Sequence, residues 1–203
     1  MILGNISMEN DFIVTQNQAV DVDVDNCGPN LPSSGQQWNL FNNVLYPLAD
    51  LNVCEAWDMG YFGDGVEVAV IDTGLKDELS TIYTNVHIET SGPWNMPNYY
   101  FATGQAEHGT AVSAVLAGNH ENSALAGVAP NIQLLNVGNS LAINYVQLEV
   151  AQGIQAALQQ ANHLDVINMS IASNWAFTDS ALQEAFEDAV ESKVVLIASA
   201  GNN

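Results

Sequence analysis

Asp72 closes the apolar run VEVAVI (66–71) and is followed by Thr73 and Gly74. A carboxylate at the mouth of such a strand loses hydration, so donors or a cation must meet it. Alone it reads in three ways: a turn acid held by backbone amides, half of a proton-sharing Asp-Thr-Gly pair, or the partner that orients a base. His108 opens HGTAVSAVLAG, whose small and apolar residues predict a buried helix starting at the histidine. An imidazole held in one tautomer by a nearby carboxylate meets the demands on a general base. The plain alternative is a histidine that caps its helix. Asn202 follows VVLIASAG, which sets a side-chain amide at the end of an apolar strand after small residues. That amide is either a donor to a developing oxyanion or an ordinary turn residue. His87, His120 and His163 read as surface residues, and no pair has metal-ligand spacing on one helix.

Positioning these groups requires a scaffold, and the chain spells one out from about Trp38 onward. Four short runs are apolar at nearly every position: VEVAVI (66–71), IQLLNV (132–137), DVINMS (165–170) and VVLIAS (194–199). Such continuity predicts strands buried on both faces, as in a parallel sheet. Helical patterns lie between them. In 145–162, Leu148, Ala151, Gln155, Leu158 and Ala161 share a face, and the side toward Ile154 is also apolar. In 179–192, Leu182, Ala185, Phe186, Ala189 and Val190 recur at helical spacing, with Asp179 or Ser180 as cap and Gln183 completing a capping box from Ser180. The alternation predicts an α/β fold: a doubly wound, mostly parallel sheet with helices on both faces. Functional groups then belong just past the carboxyl ends of the strands, where Asp72 and Asn202 both fall.

Composition narrows the partners. The chain has 203 residues, enough for one full-sized core, and carries two Lys, no Arg and 23 acids, for a formal charge of −21. That surface repels nucleic acid and anionic membranes and suits salty or calcium-containing surroundings. No apolar run approaches the length of a membrane helix. The start, MILGNISMENDF, has no basic n-region, as expected either of a cytoplasmic protein or of a chain whose N-terminus lies upstream. Cys27 and Cys54 are either a disulfide of an exported protein or two free thiols.

Taken in order, VAVIDTG, HGTAVSAVLAG, GVAP, VINMSIAS and ASAGN resemble the subtilisin-like (S8) serine proteases from about Gln37 to the last residue. The stretch QWNLFNNVLYPLADLNVCEAWDMGYFGDGVEVAVIDTGL is similar to the kexin-like branch in particular. The resemblance implies peptide-bond hydrolysis by an Asp-His-Ser triad through an acyl-enzyme. Asp72 would orient His108, which would act as general base and acid, and Asn202 would donate to the oxyanion. Ser170, Ile171 and Ala172 would pair with an extended substrate, and Ala200 and Gly201 would line the pocket for the residue before the cut. Ala172 stands where the family usually has glycine, narrowing that pocket. No cofactor is required for such chemistry. A structural calcium is compatible with it, with Glu78 as candidate ligand and Asn119 to Ser123 as the facing loop.

The family's Gly-Thr-Ser is absent, so the resemblance implies a serine supplied from beyond residue 203. Residues 1–36 are then an extension, a linker or the end of an upstream module, and 37–203 an incomplete peptidase domain. The partners implied are a peptide or protein substrate and the remaining part of the same protease, in a secreted or extracellular setting. Two other readings compete: an inactive protease-fold module that grips extended peptides, and an acid protease assembled as a dimer through Asp72.

Overall fold

The computed structural model describes residues 37, 39–40, 50–75, 86–89, 107–120, 126–138, 146–161, 163–172 and 179–201. Their elements run α1 (Val53–Asp58), β1 (Glu67–Asp72), β2 (Val86–Glu89), α2 (Glu107–Ala117), β3 (Gln133–Gly138), α3 (Val146–Gln160), β4 (Val166–Met169), α4 (Ser180–Glu191) and β5 (Val195–Ala198). The strands form one sheet in the order β2-β3-β1-β4-β5, and every described pairing is parallel. The α/β fold is therefore the one the alternation of runs predicts. β2 has no counterpart among the predicted strands, because four residues of alternating type give too weak a signal.

The central strand explains why the apolar runs are continuous. β1 lies between β3 and β4, and its last five residues are buried. One side of the sheet (Ala69, Ile71, Leu135, Val137, Ile167 and Met169) packs with Val150, Ala151, Ile154 and Ala157 of α3 and Leu182, Ala185 and Ala189 of α4. The other side packs Val68, Val70 and Leu134 with Ala114 and Ala117 of α2. Helices thus cover both faces, which is the condition for unbroken Val/Ile/Leu strands.

Three details depart from expectation. The buried stripe of α3 centres on Ile154 rather than on Leu148, which is 37% exposed. In α4, Val190 is 64% exposed, since the buried stripe ends at Ala189. Asp179 caps α4 by accepting from the Ala181 amide at 2.8 Å. Gln183 instead reaches Glu187 on the next turn, so the capping box from Ser180 does not form.

The path of the chain has a notable hand. The connections β2–α2–β3, β3–α3–β4 and β4–α4–β5 all advance in the same direction across the sheet. Yet α2 lies on the opposite face from α3 and α4. Crossovers that share a direction but not a face have opposite hands, so β2–α2–β3 differs in hand from the other two.

A third cluster anchors the segment before the sheet. Leu40, Val53, Cys54, Trp57 and Ala126 are buried together, and Trp57 Nε1 donates to the Val128 carbonyl at 2.9 Å. Gln37 clasps Ala126 at both ends of its amide, Nε2 donating to the carbonyl at 2.9 Å and Oε1 accepting from the amide at 2.8 Å. Cys54 is disulfide-bonded; Cys27, the chain's other cysteine, lies outside the described residues, as do residues 1–36.

Candidate active site

Asp72 is the last residue of β1 and sits opposite Gly138 of β3. Its side chain is fully buried, and its oxygens are met by donors. The Thr73 amide donates to Oδ1 at 2.6 Å and the Thr73 hydroxyl at 3.2 Å. His108 Nδ1 lies 2.8 Å from Oδ1 and 3.0 Å from Oδ2. An ionised carboxylate only accepts, so Nδ1 carries the proton and donates. That fixes the tautomer and leaves Nε2 with a free lone pair on a side chain that is 59% exposed. A buried acid orienting a solvent-facing imidazole is a poised proton acceptor.

The hand of the β2–α2–β3 connection makes this contact possible, because it sets the N-terminal turn of α2 against the end of β1. The approach is close. A Cβ on Gly109 would run into the carbonyl oxygen of Gly74 and come within 3.1 Å of Asp72 Oδ1. Gly74 itself has φ +96°, a conformation that favours glycine. Thr73 stitches the two segments together, its hydroxyl donating to Asp72 while accepting from the Gly109 amide at 3.0 Å. Sequence reasoning singled out neither Thr73 nor Gly109; the signal was a hydroxyl and a glycine directly following the acid and the histidine. Replacing Gly109 by alanine should push α2 off the end of β1, lengthen the His108–Asp72 contact and lower the unfolding temperature. Thermal unfolding by circular dichroism measures this, and an unchanged transition would show that the segment can yield.

The helix carrying His108 is buried on one side only. Ala114 and Ala117 face the sheet, whereas Val115 is 53% exposed, so the helix expected to be buried is buried on its sheet-facing side. Its small residues serve close approach: a Cβ on Gly127 would strike the backbone of Ala117 and Gly118.

Ser170, Ile171, Ala172, Ala200 and Gly201 fall at the same end of the sheet. Ser170 follows β4, and its hydroxyl accepts from Asn168 Nδ2 at 3.1 Å. Segments 170–172 and 199–201 run side by side. The Ser199 amide donates to the Met169 carbonyl at 3.1 Å and its hydroxyl to the Ile171 carbonyl at 2.9 Å. Ala200 and Gly201 are exposed, and a Cβ on Gly201 would lie 3.6 Å from that of Ala172. The structure thus brings Ala172 and Gly201 together. Asn202 lies outside the described residues, as do Glu78 and residues 121–123 of the facing loop. Among the described residues, no group of three or more His, Cys, Asp or Glu is arranged to hold a metal ion.

Of the remaining histidines, His163 is a surface residue, pairing with Asp165 at 3.0 Å. His120 is half-buried: its ring stands edge-on to Trp57 at 4.6 Å between centroids, and Nε2 contacts the Gly127 carbonyl at 2.9 Å. The side chain of His87 is outside the description.

A profile of the subtilase family, peptidase S8, matches residues 63–203, well over half of the chain. The chain belongs to the subtilase family. Among curated subtilases, it is 34% identical over 162 residues to subtilisin DY of Bacillus licheniformis, an alignment covering 79% of this chain and 56% of that protein. It is 26% identical to the minor extracellular protease Epr of Bacillus subtilis, over 97% of this chain and 28% of the relative. Among solved structures, a cold adapted subtilisin-like serine proteinase matches with TM-score 0.51 at 25% identity, covering 70% of this chain and 48% of that one. The prenylagaramide maturation protease PagA matches with TM-score 0.56 at 23% identity, over 75% and 51% of the two chains. The sheet is therefore the subtilisin-like α/β fold, and this subtilase spans about half or less of the length of these relatives.

Proposed function

We propose that this subtilase is the part of a serine endopeptidase that supplies the orienting acid, the general base and one oxyanion donor, its nucleophilic serine coming from beyond residue 203. The observation that carries the reading is the Asp72–His108 pair, with Nδ1 at 2.8 Å from a buried carboxylate and Nε2 left outward. In the proposed reaction, His108 Nε2 takes the serine proton as the hydroxyl attacks the scissile carbonyl, and returns it to the leaving amine. Water then hydrolyses the acyl-enzyme by the same route. Asp72 stays ionised and stabilises the imidazolium. Asn202 donates to the tetrahedral oxygen.

Extended substrate lies along Ser170, Ile171 and Ala172 by β-augmentation, with Ala200 and Gly201 beside the side chain that precedes the cut. The approach of Ala172 to Gly201 supports a constricted wall there. Domain limits of 37–203 fit the clasp of Gln37 on Ala126, which ties residue 37 to the peptidase core. Secretion is supported by the extracellular relative Epr. Among the described residues, no helix is long and apolar enough to cross a membrane. A structural calcium, with Glu78 among its ligands, is part of the same proposal.

The test is to join the chain to the sequence that follows it in its gene and expose the product to a fluorophosphonate probe and a peptide library. Serine labelling that needs His108, with cleavage, supports the reading; labelling and cleavage both absent would refute it. In that intact protease, Asn202→Ala should lower kcat by about 10²–10³ with KM little changed. Equal loss in KM would move Asn202 to substrate binding.

The resemblance of residues 37–75 to the kexin-like branch and the charge of −21 together favour substrates with basic residues before the cut. Cleavage of a basic peptide series should then fall steeply as salt rises. A preference for acidic or large apolar residues would remove this part of the proposal.

A further inference from the structure

The segment that follows β4 is held from one side, by two hydrogen bonds from a single residue. Backbone groups of successive residues in an extended chain point to alternate sides. The Met169 carbonyl accepts from the Ser199 amide at 3.1 Å, and the Ile171 carbonyl from the Ser199 hydroxyl at 2.9 Å. Both carbonyls therefore face the β5 side. The backbone groups of Ser170 and Ala172 face the other way, toward β1. In register, Val70 lies against Asn168, and β1 ends two residues later at Asp72, level with Ser170. From there onward that edge has no neighbouring strand among the described residues, which leaves it open to an extended peptide.

The hydroxyl bond is not one that the ladder itself would make. β4 and β5 pair in parallel, with Met169 opposite Ala198. A ladder continued in that register would bring the Gly201 amide to the Ile171 carbonyl, as the Ser199 amide reaches the Met169 carbonyl two residues earlier. Gly201 has φ +91°, a conformation that takes the chain out of the strand just before Asn202. The Ile171 carbonyl accepts from the Ser199 hydroxyl instead. That side chain lets β5 turn off early without releasing the strand beside it. Ser170 is tied separately, its hydroxyl accepting from Asn168 Nδ2 at 3.1 Å, but that contact grips a side chain and not the backbone. An alanine at 199 would keep the amide bond and lose the hydroxyl one.

We infer that Ser199 is a positioning residue for extended substrates: its hydroxyl fixes the Ile171 carbonyl and so sets the free edge of Ser170 and Ala172, along which the peptide preceding the cut is bound. The inference rests on the reading of 170–172 as the substrate strand. Because Ser199 acts through Ile171 and not on the reacting atoms, it governs binding along that edge and leaves the proton transfers at His108 alone. A substrate with several residues before the cut uses the whole edge, and one with a single residue there uses little of it. Ser199 is exposed, so its replacement by alanine leaves no buried gap.

The test uses the chain joined to the sequence that follows it in its gene, with two substrates of the basic class proposed above. One is the anilide of an acetylated tetrapeptide ending in arginine, the other the anilide of acetyl-arginine. Ser199→Ala should raise KM for the tetrapeptide about three- to tenfold, the effect of one hydrogen bond, with its kcat and both constants of the short substrate changed by less than about twofold. Ser199→Thr, which keeps a hydroxyl, should restore the parent KM. An equal rise for both substrates, a loss confined to kcat, no change at all, or a threonine variant that behaves like the alanine would overturn the inference. Binding of the acetylated tetrapeptide acid is followed in parallel by NMR titration, which needs no nucleophile. If the parent binds this peptide, Ser199→Ala weakens it by the same factor and neither anilide is cleaved, the role of Ser199 stands and the serine-protease reading falls. If the parent binds it no better than acetyl-arginine, the role of Ser199 falls, whether or not the anilides are cleaved.

Discussion

Replacing Asp72 by asparagine should lower kcat of the intact protease by about 10⁴ while leaving the fold in place. The geometry explains both halves of that expectation. An asparagine Oδ1 can accept from the Thr73 amide and hydroxyl as Asp72 Oδ1 does now. Its Nδ2 would then point at His108 Nδ1, where the carboxylate currently accepts. Two donors cannot face each other, so Nδ1 must become the acceptor and the ring proton must move to Nε2. The base would then present a proton where it needs a lone pair. Removing a buried charge offsets the loss of the charge-assisted contact, so thermal stability should shift little. Turnover within tenfold of the parent would take Asp72 out of the orienting role.

Replacing His108 by alanine should be more severe, about 10⁶ in kcat, because among the described residues no other base is paired with a buried carboxylate at the site. The double variant with Asp72→Asn should be hardly worse than His108→Ala alone, since an orienting acid has no function without the imidazole it orients. Stability should also change, in a direction that separates this variant from the first. Asp72 would lose one of its partners while remaining buried, at a cost of about 1–3 kcal/mol. Additive losses in the double variant would mean that the two residues act independently, against the 2.8 Å contact.

Much of this architecture was legible in the chain because its determinants are local. The four apolar runs of β1, β3, β4 and β5 announce themselves, and the small residues after His108 mark a helix that must approach a backbone closely. The acid and the histidine were recognisable by type and by position at strand and helix ends. Their contact was implied by the family resemblance alone, since residues 36 apart meet only through the side of the sheet on which α2 lands. The continuous hydrophobicity of β5 was read as burial on two faces. The strand instead lies half exposed, with Val195 at 55% and Ile197 at 50%. The roles of Thr73 and Gly109 escaped because each depends on a neighbour across the fold. A threonine hydroxyl has no functional signature until it is seen bridging two segments.

The strand order also fixes a timetable. β3 lies between β2 and β1, although it is made after both. On a ribosome, the nascent chain would therefore display Asp72 and then His108 before the strand that unites their supports exists. α2 has only half its seat until Gln133–Gly138 emerges, because its cluster draws Leu134 from β3 and Val68 and Val70 from β1. The proton-transfer pair is thus held in place only once β3 has joined β1 and β2, although both of its residues are made earlier.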